Sequence, residues 1–198
     1  MRYLLSIAGL LVATTALPAH AASDVADIAQ CVVDNDMTDV RTLLKTLPGS
    51  VDERRVGARI MVYYGGCDDN RTASGQVAWR ERAEIANAAL LNRLETARFD
   101  PASPPPRASW ALVAGETAFG SDRRLVAIRQ FGDCVVALAP AKALRLAKSA
   151  RGGADEAGAI AALRPALNDC LPPRENFTVK RDDLRLILAE PLYHMISK

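Results

Sequence analysis

Hydrophobic residues recur at helical spacing along most of this chain. In the clearest segment, four aliphatic side chains stand at i, i+3, i+4 and i+7 and so share one face of a helix. These residues are Val40, Leu43, Leu44 and Leu47, and the Pro48-Gly49 pair that follows ends the predicted helix. A later segment repeats the spacing before Gly152-Gly153 with Ala143, Leu146, Ala147 and Ala150. Both segments predict short amphipathic helices.

A capping signal and two apolar stripes predict further helices. Ser50 and Glu53 fit the capping box, in which a hydroxyl and a carboxylate satisfy the free N–H groups at a helix start. They predict a third helix that runs towards Cys67. The last helix in each part of the chain has one apolar stripe, formed by Trp79, Ala83, Ala86, Leu90 and Leu94 in the first and by Leu184, Ile187, Leu188, Leu192, Met195 and Ile196 in the second.

The segment ADEAGAIAALRPALNDC, residues 154–170, has almost no polar face. Helices of this kind are usually buried on several sides. We therefore expect this helix to lie inside the molecule and the two parts of the chain to share one core.

The chain carries a signature of internal duplication. CVV occurs twice, and a shift of 103 positions places residues 28–67 on residues 131–170 with ten identities, where composition alone gives about two or three. Cys31 and Cys67 are 36 residues apart, as are Cys134 and Cys170. Because a single ancestral unit could pair only its own two thiols, the duplication predicts the disulfides Cys31–Cys67 and Cys134–Cys170. The expected fold is mostly α, with two tandem copies of a disulfide-stapled unit of three to four helices sharing one core.

The first 21 residues have the three-part pattern of a secretory signal peptide. Arg2 precedes an apolar run from Leu4 to Ala13, and the small residues of Ala19-His20-Ala21 follow. The pattern predicts cleavage between Ala21 and Ala22 and export to the periplasm or the medium. In such an oxidising compartment, four cysteines favour disulfides over metal binding.

Composition divides the rest of the chain and limits its partners. The proline-rich stretch 98–107 predicts a stiff linker between units at 22–97 and 108–198. Lys and Arg number 25 against 23 Asp and Glu, so removal of Arg2 leaves a net charge of +1. That balance lacks the clustered excess charge of a nucleic-acid or anionic-membrane binder, and no later segment is long enough for a membrane span.

The sequence offers little catalytic chemistry. After cleavage His194 is the only histidine, and its place near the end of an amphipathic helix favours a surface or edge position. No nucleophile elbow, zinc motif or phosphate loop occurs, and the cysteine spacings of 36, 67 and 36 contain no zinc knuckle. We therefore predict no catalytic residue, no metal and no cofactor.

One loop departs from the duplicated pattern and is the candidate binding loop. Tyr63 and Tyr64 stand just before it, and Asp68, Asp69 and Asn70 follow Cys67, whereas the second copy has prolines after its cysteine. Functional residues favour loops held by a rigid scaffold. A solvated connector is the alternative explanation.

The export signal, the paired cysteines and the ending LRLILAEPLYHM resemble uncharacterised exported proteins of alphaproteobacteria, of the kind found in sphingomonads. The resemblance implies a periplasmic, mostly helical protein, and it carries over no catalytic or binding residue.

Three functions remain open from the sequence. The expected one is a non-enzymatic interaction module that binds a protein or an envelope component. The second is a small hydrolase that uses carboxylates such as Asp68-Asp69 or Asp182-Asp183, with His194 assisting. The third is a carrier that holds a small apolar ligand between the two helical halves.

Overall fold

A computed structural model describes residues 23–64, 67, 78–112, 122–171 and 179–197. These residues form eight α-helices and one 3-10 turn, with no strand among them, so the mostly-α prediction is confirmed. The helices are α1 Ser23–Asn35, α2 Met37–Lys45, α3 Val51–Tyr64, α4 Trp79–Thr96, α5 Arg123–Leu138, α6 Pro140–Lys148, α7 Ala154–Cys170 and α8 Arg181–Ile196. The 3-10 turn is Arg107–Ser109. No described helix is both long and apolar enough to cross a bilayer.

The helices pack in the same order in the two halves of the chain. In the first half α1 lies on α4 and α2 on α3, and in the second half α5 lies on α8 and α6 on α7. The helices α2 and α6 each have nine residues and begin 103 positions apart, and so do the starts of α3 and α7. The largest contact between helices is α4 against α8. That contact joins the halves, and one hydrophobic cluster extends through both.

Both predicted disulfides are present. Cys31 and Cys67 have Cα atoms 5.9 Å apart, and Cys134 and Cys170 have Cα atoms 5.8 Å apart. Both separations lie within the range that a disulfide requires. In the second half the bridge ties α5 to the last residue of α7.

The start of α3 follows the capping prediction with one difference. The Ser50 hydroxyl accepts a 3.1 Å hydrogen bond from the Glu53 N–H, as predicted. The Glu53 carboxylate accepts from the Gly49 N–H rather than from that of Ser50. Gly49 has a φ of +76°, a conformation that glycine adopts at no steric cost, and this φ turns its N–H towards the carboxylate. Glu156 accepts from the Gly152 N–H in the same way, at 2.7 Å, and Gly152 has a φ of +74°.

The prediction that residues 154–170 are buried on several sides is wrong. Only Ala159, Leu163 and Ala166 of α7 are buried, on the side that faces α5 and α6. Alanine favours a helix whether or not it is buried, so an alanine-rich segment lacks the contrast that marks an outer face. The halves share their core through α4 and α8 instead.

Residues 98–106 form no helix, and most of them are exposed. Phe99 packs against the hydrophobic cluster, and Asp100 closes a turn by accepting from the Ala102 N–H at 2.9 Å. After the prolines, Trp110 is buried in the cluster and donates from Nε1 to the Pro105 carbonyl at 3.2 Å. The connection is thus fastened at both of its ends.

Candidate functional site

Five ionisable side chains are buried together where α4 meets α8. Long charged side chains are rarely buried unless they are paired, so such a group marks either a structural network or a site of chemistry. Asp133 has no exposed surface, and the other four are at most 7% exposed. The members are Glu53, Arg82, Arg129, Asp133 and Glu190, and we call them the buried charge network.

Arg82 lies at the centre of this network. Its Nε donates to Glu190 Oε2 at 2.9 Å, and its Nη2 donates to Glu190 Oε1 at 2.7 Å. Its Nη1 donates to Glu53 at 2.8 Å and to the Thr46 hydroxyl at 3.0 Å, and Nη2 also reaches the Thr46 carbonyl at 2.9 Å. A guanidinium has five N–H groups. All five are used inside the protein.

Arg129 extends the network to α5. Its Nη1 donates to Glu190, and its Nε donates to Asp133 at 2.9 Å. The second oxygen of Asp133 accepts from the Leu112 N–H at 2.9 Å. The network therefore links α3, α4, α5, α8 and the segment that follows the 3-10 turn.

The surroundings of Arg82 and Glu190 favour the ionised state of both side chains. Burial alone would raise the pKa of Glu190, but Arg82 and Arg129 outweigh it and hold that pKa well below its ordinary value. Burial alone would lower the pKa of Arg82, but Glu190 and Glu53 raise it. A general acid that works near neutral pH needs a raised carboxyl pKa. Glu190 is shifted in the opposite direction.

His194 lies at the edge of this network. Its side chain is 21% exposed, its Nε2 is 2.8 Å from the Leu44 carbonyl oxygen, and the same nitrogen is 3.8 Å from Glu190. Because a carbonyl oxygen only accepts, Nε2 carries the proton of that hydrogen bond. This nitrogen is therefore not placed to act as a base.

The cavity beside the network is small. It has a volume of about 60 Å³ and is lined by Glu53, Arg82, Arg129 and Glu190, together with Trp79 and aliphatic side chains. Small-molecule sites usually enclose roughly 300–1,000 Å³. This space suits a few water molecules and not a ligand.

Arg185 occupies the position 103 residues after Arg82 and makes related contacts. It donates to the Ala147 carbonyl at 2.7 Å, to the Ser149 hydroxyl at 3.0 Å and to Glu156 at 2.8 Å. These contacts border a larger pocket of about 510 Å³, which Glu84 and Arg151 also line as an ion pair. Burial alone would raise the pKa of Glu156, but its hydrogen bonds with Arg185 and the Gly152 N–H lower it. The charges in this pocket largely neutralise one another.

A third concave region has a different character. It holds about 450 Å³ between α2, α4 and the end of α8, and we call it the basic pocket. Its lining consists of Met37, Arg41, Lys45, Ala89, Asn92, Arg93, Thr96, Tyr193, His194 and Ser197. Three of these side chains are cationic and none is acidic.

The sequence-predicted site residues are only partly described. Tyr63 and Tyr64 are in the last turn of α3, whereas Asp68, Asp69 and Asn70 lie outside the described residues, as do Ala21 and Ala22 at the expected cleavage site. Asp182 lines the 510 Å³ pocket, and Asp183 forms an ion pair with Arg80. These two adjacent carboxylates thus have different surroundings.

Sequence reasoning missed the whole buried charge network. One signal was present: the duplication that aligns 28–67 with 131–170 also places Thr46 on Ser149, Glu53 on Glu156 and Arg82 on Arg185. Polar residues kept at three such positions, one of them inside an apolar stripe, point to a shared structural contact.

The described residues contain no group of three or more histidine, cysteine or acidic side chains placed to hold a metal ion. Comparison of the chain with protein-family models, curated proteins and solved structures finds no match.

Proposed function

We propose that this chain is an exported, non-enzymatic binding module for a protein or an envelope component, built from two copies of one helical unit. Two disulfides and the absence of free cysteines support an oxidising compartment. The signal-like first 21 residues support the same location.

One observation carries the non-enzymatic part of the proposal. The largest group of buried ionisable side chains is used up by its own internal contacts, because Arg82 spends all five N–H groups on Glu53, Thr46 and Glu190. A catalytic group must keep a donor, an acceptor or a proton for its substrate. The buried charge network instead serves to fix α4 against α8.

The two alternative functions have less support. A hydrolase would need an acid with a raised pKa, and Glu190 is shifted the other way. The Nε2 atom of His194 donates to the Leu44 carbonyl, so Nδ1 is the one ring nitrogen left to act as a base. A carrier of apolar ligands would need a large apolar cavity between the halves. The cavity beside the buried charge network has about 60 Å³, and the pocket of about 510 Å³ is lined mostly by charged side chains.

The double-unit part of the proposal rests on matched contacts. Arg82 bonds Thr46 and Glu53, and Arg185 bonds Ser149 and Glu156, each partner being displaced by 103 positions. The glycines at the starts of α3 and α7 share a positive φ and donate to the matching glutamates. Such agreement in side-chain geometry favours common descent of the two halves.

The test has two stages. The full chain is expressed in a Gram-negative host and crosslinked in intact cells, and each protein or envelope component captured is purified and titrated against the mature chain. Support is a periplasmic location and saturable binding to a purified partner. The proposal fails if the chain stays in the cytoplasm, if no captured component binds when purified, or if the chain hydrolyses a test ester, peptide or glycoside and Glu190→Gln or His194→Ala lowers that rate at least tenfold.

A further inference from the structure

The basic pocket lies where the C-terminal ends of α4 and α8 meet the exposed side of α2. Met37, Arg41 and Lys45 stand four residues apart on α2 and so form one wall. Ala89 and Tyr193 are buried and form the floor. The wall is charged and the floor is apolar, as in many small-molecule sites.

The three cationic side chains of this pocket have no partner among the described residues. Arg41, Lys45 and Arg93 are exposed, and none of their side chains forms an ion pair or a hydrogen bond there. In the 510 Å³ pocket, by contrast, Arg151 is paired with Glu84 and Arg185 with Glu156, and Arg181 is the arginine of its lining that forms no ion pair among the described residues. The basic pocket thus differs from the 510 Å³ pocket in having uncompensated charge.

The C-terminal ends of the helices compensate part of the positive charge of the basic pocket but not all of it. Lys45 and Arg93 lie in the last turns of α2 and α4, where a cation offsets the partial negative charge of the helix end. Each helix end carries roughly half a negative charge, so three ends together amount to roughly −1.5. Three full positive charges exceed this sum. Arg41, one turn before the end of α2, supplies the surplus.

Ser197 gives an independent indication of a ligand. Ser197 lines the basic pocket, and its hydroxyl oxygen is buried without a hydrogen-bond partner among the described residues. A buried polar atom without a partner costs about 1–3 kcal/mol, so such atoms call for an explanation. Rotation of this side chain towards the pocket would let the hydroxyl donate to an oxygen of a bound anion.

From these observations we infer that the basic pocket binds a phosphate group, carried either by a soluble phosphate ester or by an anionic lipid headgroup. The inference deepens the proposed binding function and rests on it. A dianionic phosphate matches the surplus charge better than a single carboxylate, and arginine and lysine are the usual phosphate donors. The volume of about 450 Å³ leaves room for the organic part of the ligand over the Ala89 and Tyr193 floor.

The test uses the mature chain with both disulfides intact. Calorimetric titrations at low salt use glycerol 3-phosphate, inorganic phosphate and acetate, and sedimentation assays use phosphatidylglycerol or phosphatidylcholine vesicles. We expect binding of glycerol 3-phosphate or of phosphatidylglycerol vesicles, and at least tenfold weaker binding of acetate or phosphatidylcholine. The soluble and vesicle arms identify the source of the phosphate.

Two double variants separate this site from general surface charge. Arg41→Gln with Lys45→Gln should weaken binding at least tenfold. Arg145→Gln with Lys148→Gln removes the same charge from the last turn of α6, where both side chains are exposed. They line a concave surface that also contains the acidic Asp155, so this change should alter affinity less than twofold. Circular dichroism checks that each variant keeps its helices.

Several results would overturn the inference. They are no binding of glycerol 3-phosphate, inorganic phosphate or phosphatidylglycerol vesicles, acetate binding as tight as that of glycerol 3-phosphate, or equal losses of affinity in the two double variants. If the probes fail while a purified partner still binds, only this inference falls. If glycerol 3-phosphate binds and is hydrolysed, the pocket stands and the non-enzymatic proposal falls.

Discussion

Glu190 of α8 receives two parallel hydrogen bonds from Arg82 of α4, at 2.9 and 2.7 Å. The same carboxylate also accepts from Arg129 of α5, so it links three helices. The position 103 residues earlier is Asn87, whose Oδ1 is buried and has no hydrogen-bond partner in the described part of the chain. The duplicated helices α4 and α8 therefore differ at this position. Glu190 of α8 binds the arginines of the buried charge network, whereas Asn87 of α4 does not.

Removal of either disulfide should destabilise the protein strongly. Each bridge has a sequence separation of 36 residues, and closing a loop of that length contributes about 3–4 kcal/mol in the chain-entropy estimate. We expect Cys31→Ser to lower the free energy of unfolding by about that amount, measured by urea titration. Cys31→Ser with Cys67→Ser should cost little more. A double variant as stable as the wild type would contradict this prediction.

Stability should fall in acid as Glu190 becomes protonated. In the folded protein the pKa of Glu190 is well below its ordinary value of 4.5. In acid the unfolded chain therefore binds more protons than the folded protein does. The stability from this group is complete above the unfolded pKa and is lost as pH falls through the folded pKa. The urea midpoint should drop between about pH 5 and pH 3, and Glu190→Gln should show a shallower drop. Identical pH profiles for the two proteins would contradict the assignment to Glu190.

Substitution of alanine for two equivalent glycines should destabilise the protein by different amounts. Gly49 and Gly152 have φ values of +76° and +74°, and a left-handed conformation costs alanine about 1–2 kcal/mol at either site. At Gly49 the added Cβ would also lie 2.6 Å from the Asp122 backbone nitrogen, whereas at Gly152 it would meet nothing within 4 Å. Gly49→Ala should therefore cost a further 1–3 kcal/mol or so, measured by urea unfolding. Equal losses at the two sites would show that Asp122 yields freely.

Helix faces and the disulfide pairing could be predicted because they depend on the local pattern and spacing of residues. The stripe of α2 is correct for Val40, Leu43 and Leu44, which are almost fully buried, but the helix ends at Lys45, before the fourth predicted member Leu47. The disulfide pairing followed from a repeated spacing. The buried charge network could not be predicted in this way, because Arg82 and Glu190 are 108 residues apart and meet only when α4 packs on α8. The basic pocket has the same origin: Arg41 and Arg93 lie on different helices, and tertiary packing alone places them around one concave surface.

We expect the buried charges to join the two halves into one folding unit. Scanning calorimetry of the wild type, Glu190→Ala and Asp183→Ala tests this most directly. Both side chains belong to α8 and pair with arginines of α4, but the partner of Asp183 is 61% exposed and that of Glu190 only 4%. Breaking a buried pair costs about 3–5 kcal/mol, and breaking an exposed one at most about 1 kcal/mol. We expect one unfolding transition in all three proteins. Its midpoint temperature should be lowered strongly by Glu190→Ala and little by Asp183→Ala. Two separate transitions in the wild type, or equal effects of the two substitutions, would show that the buried charges do not join the halves into one folding unit.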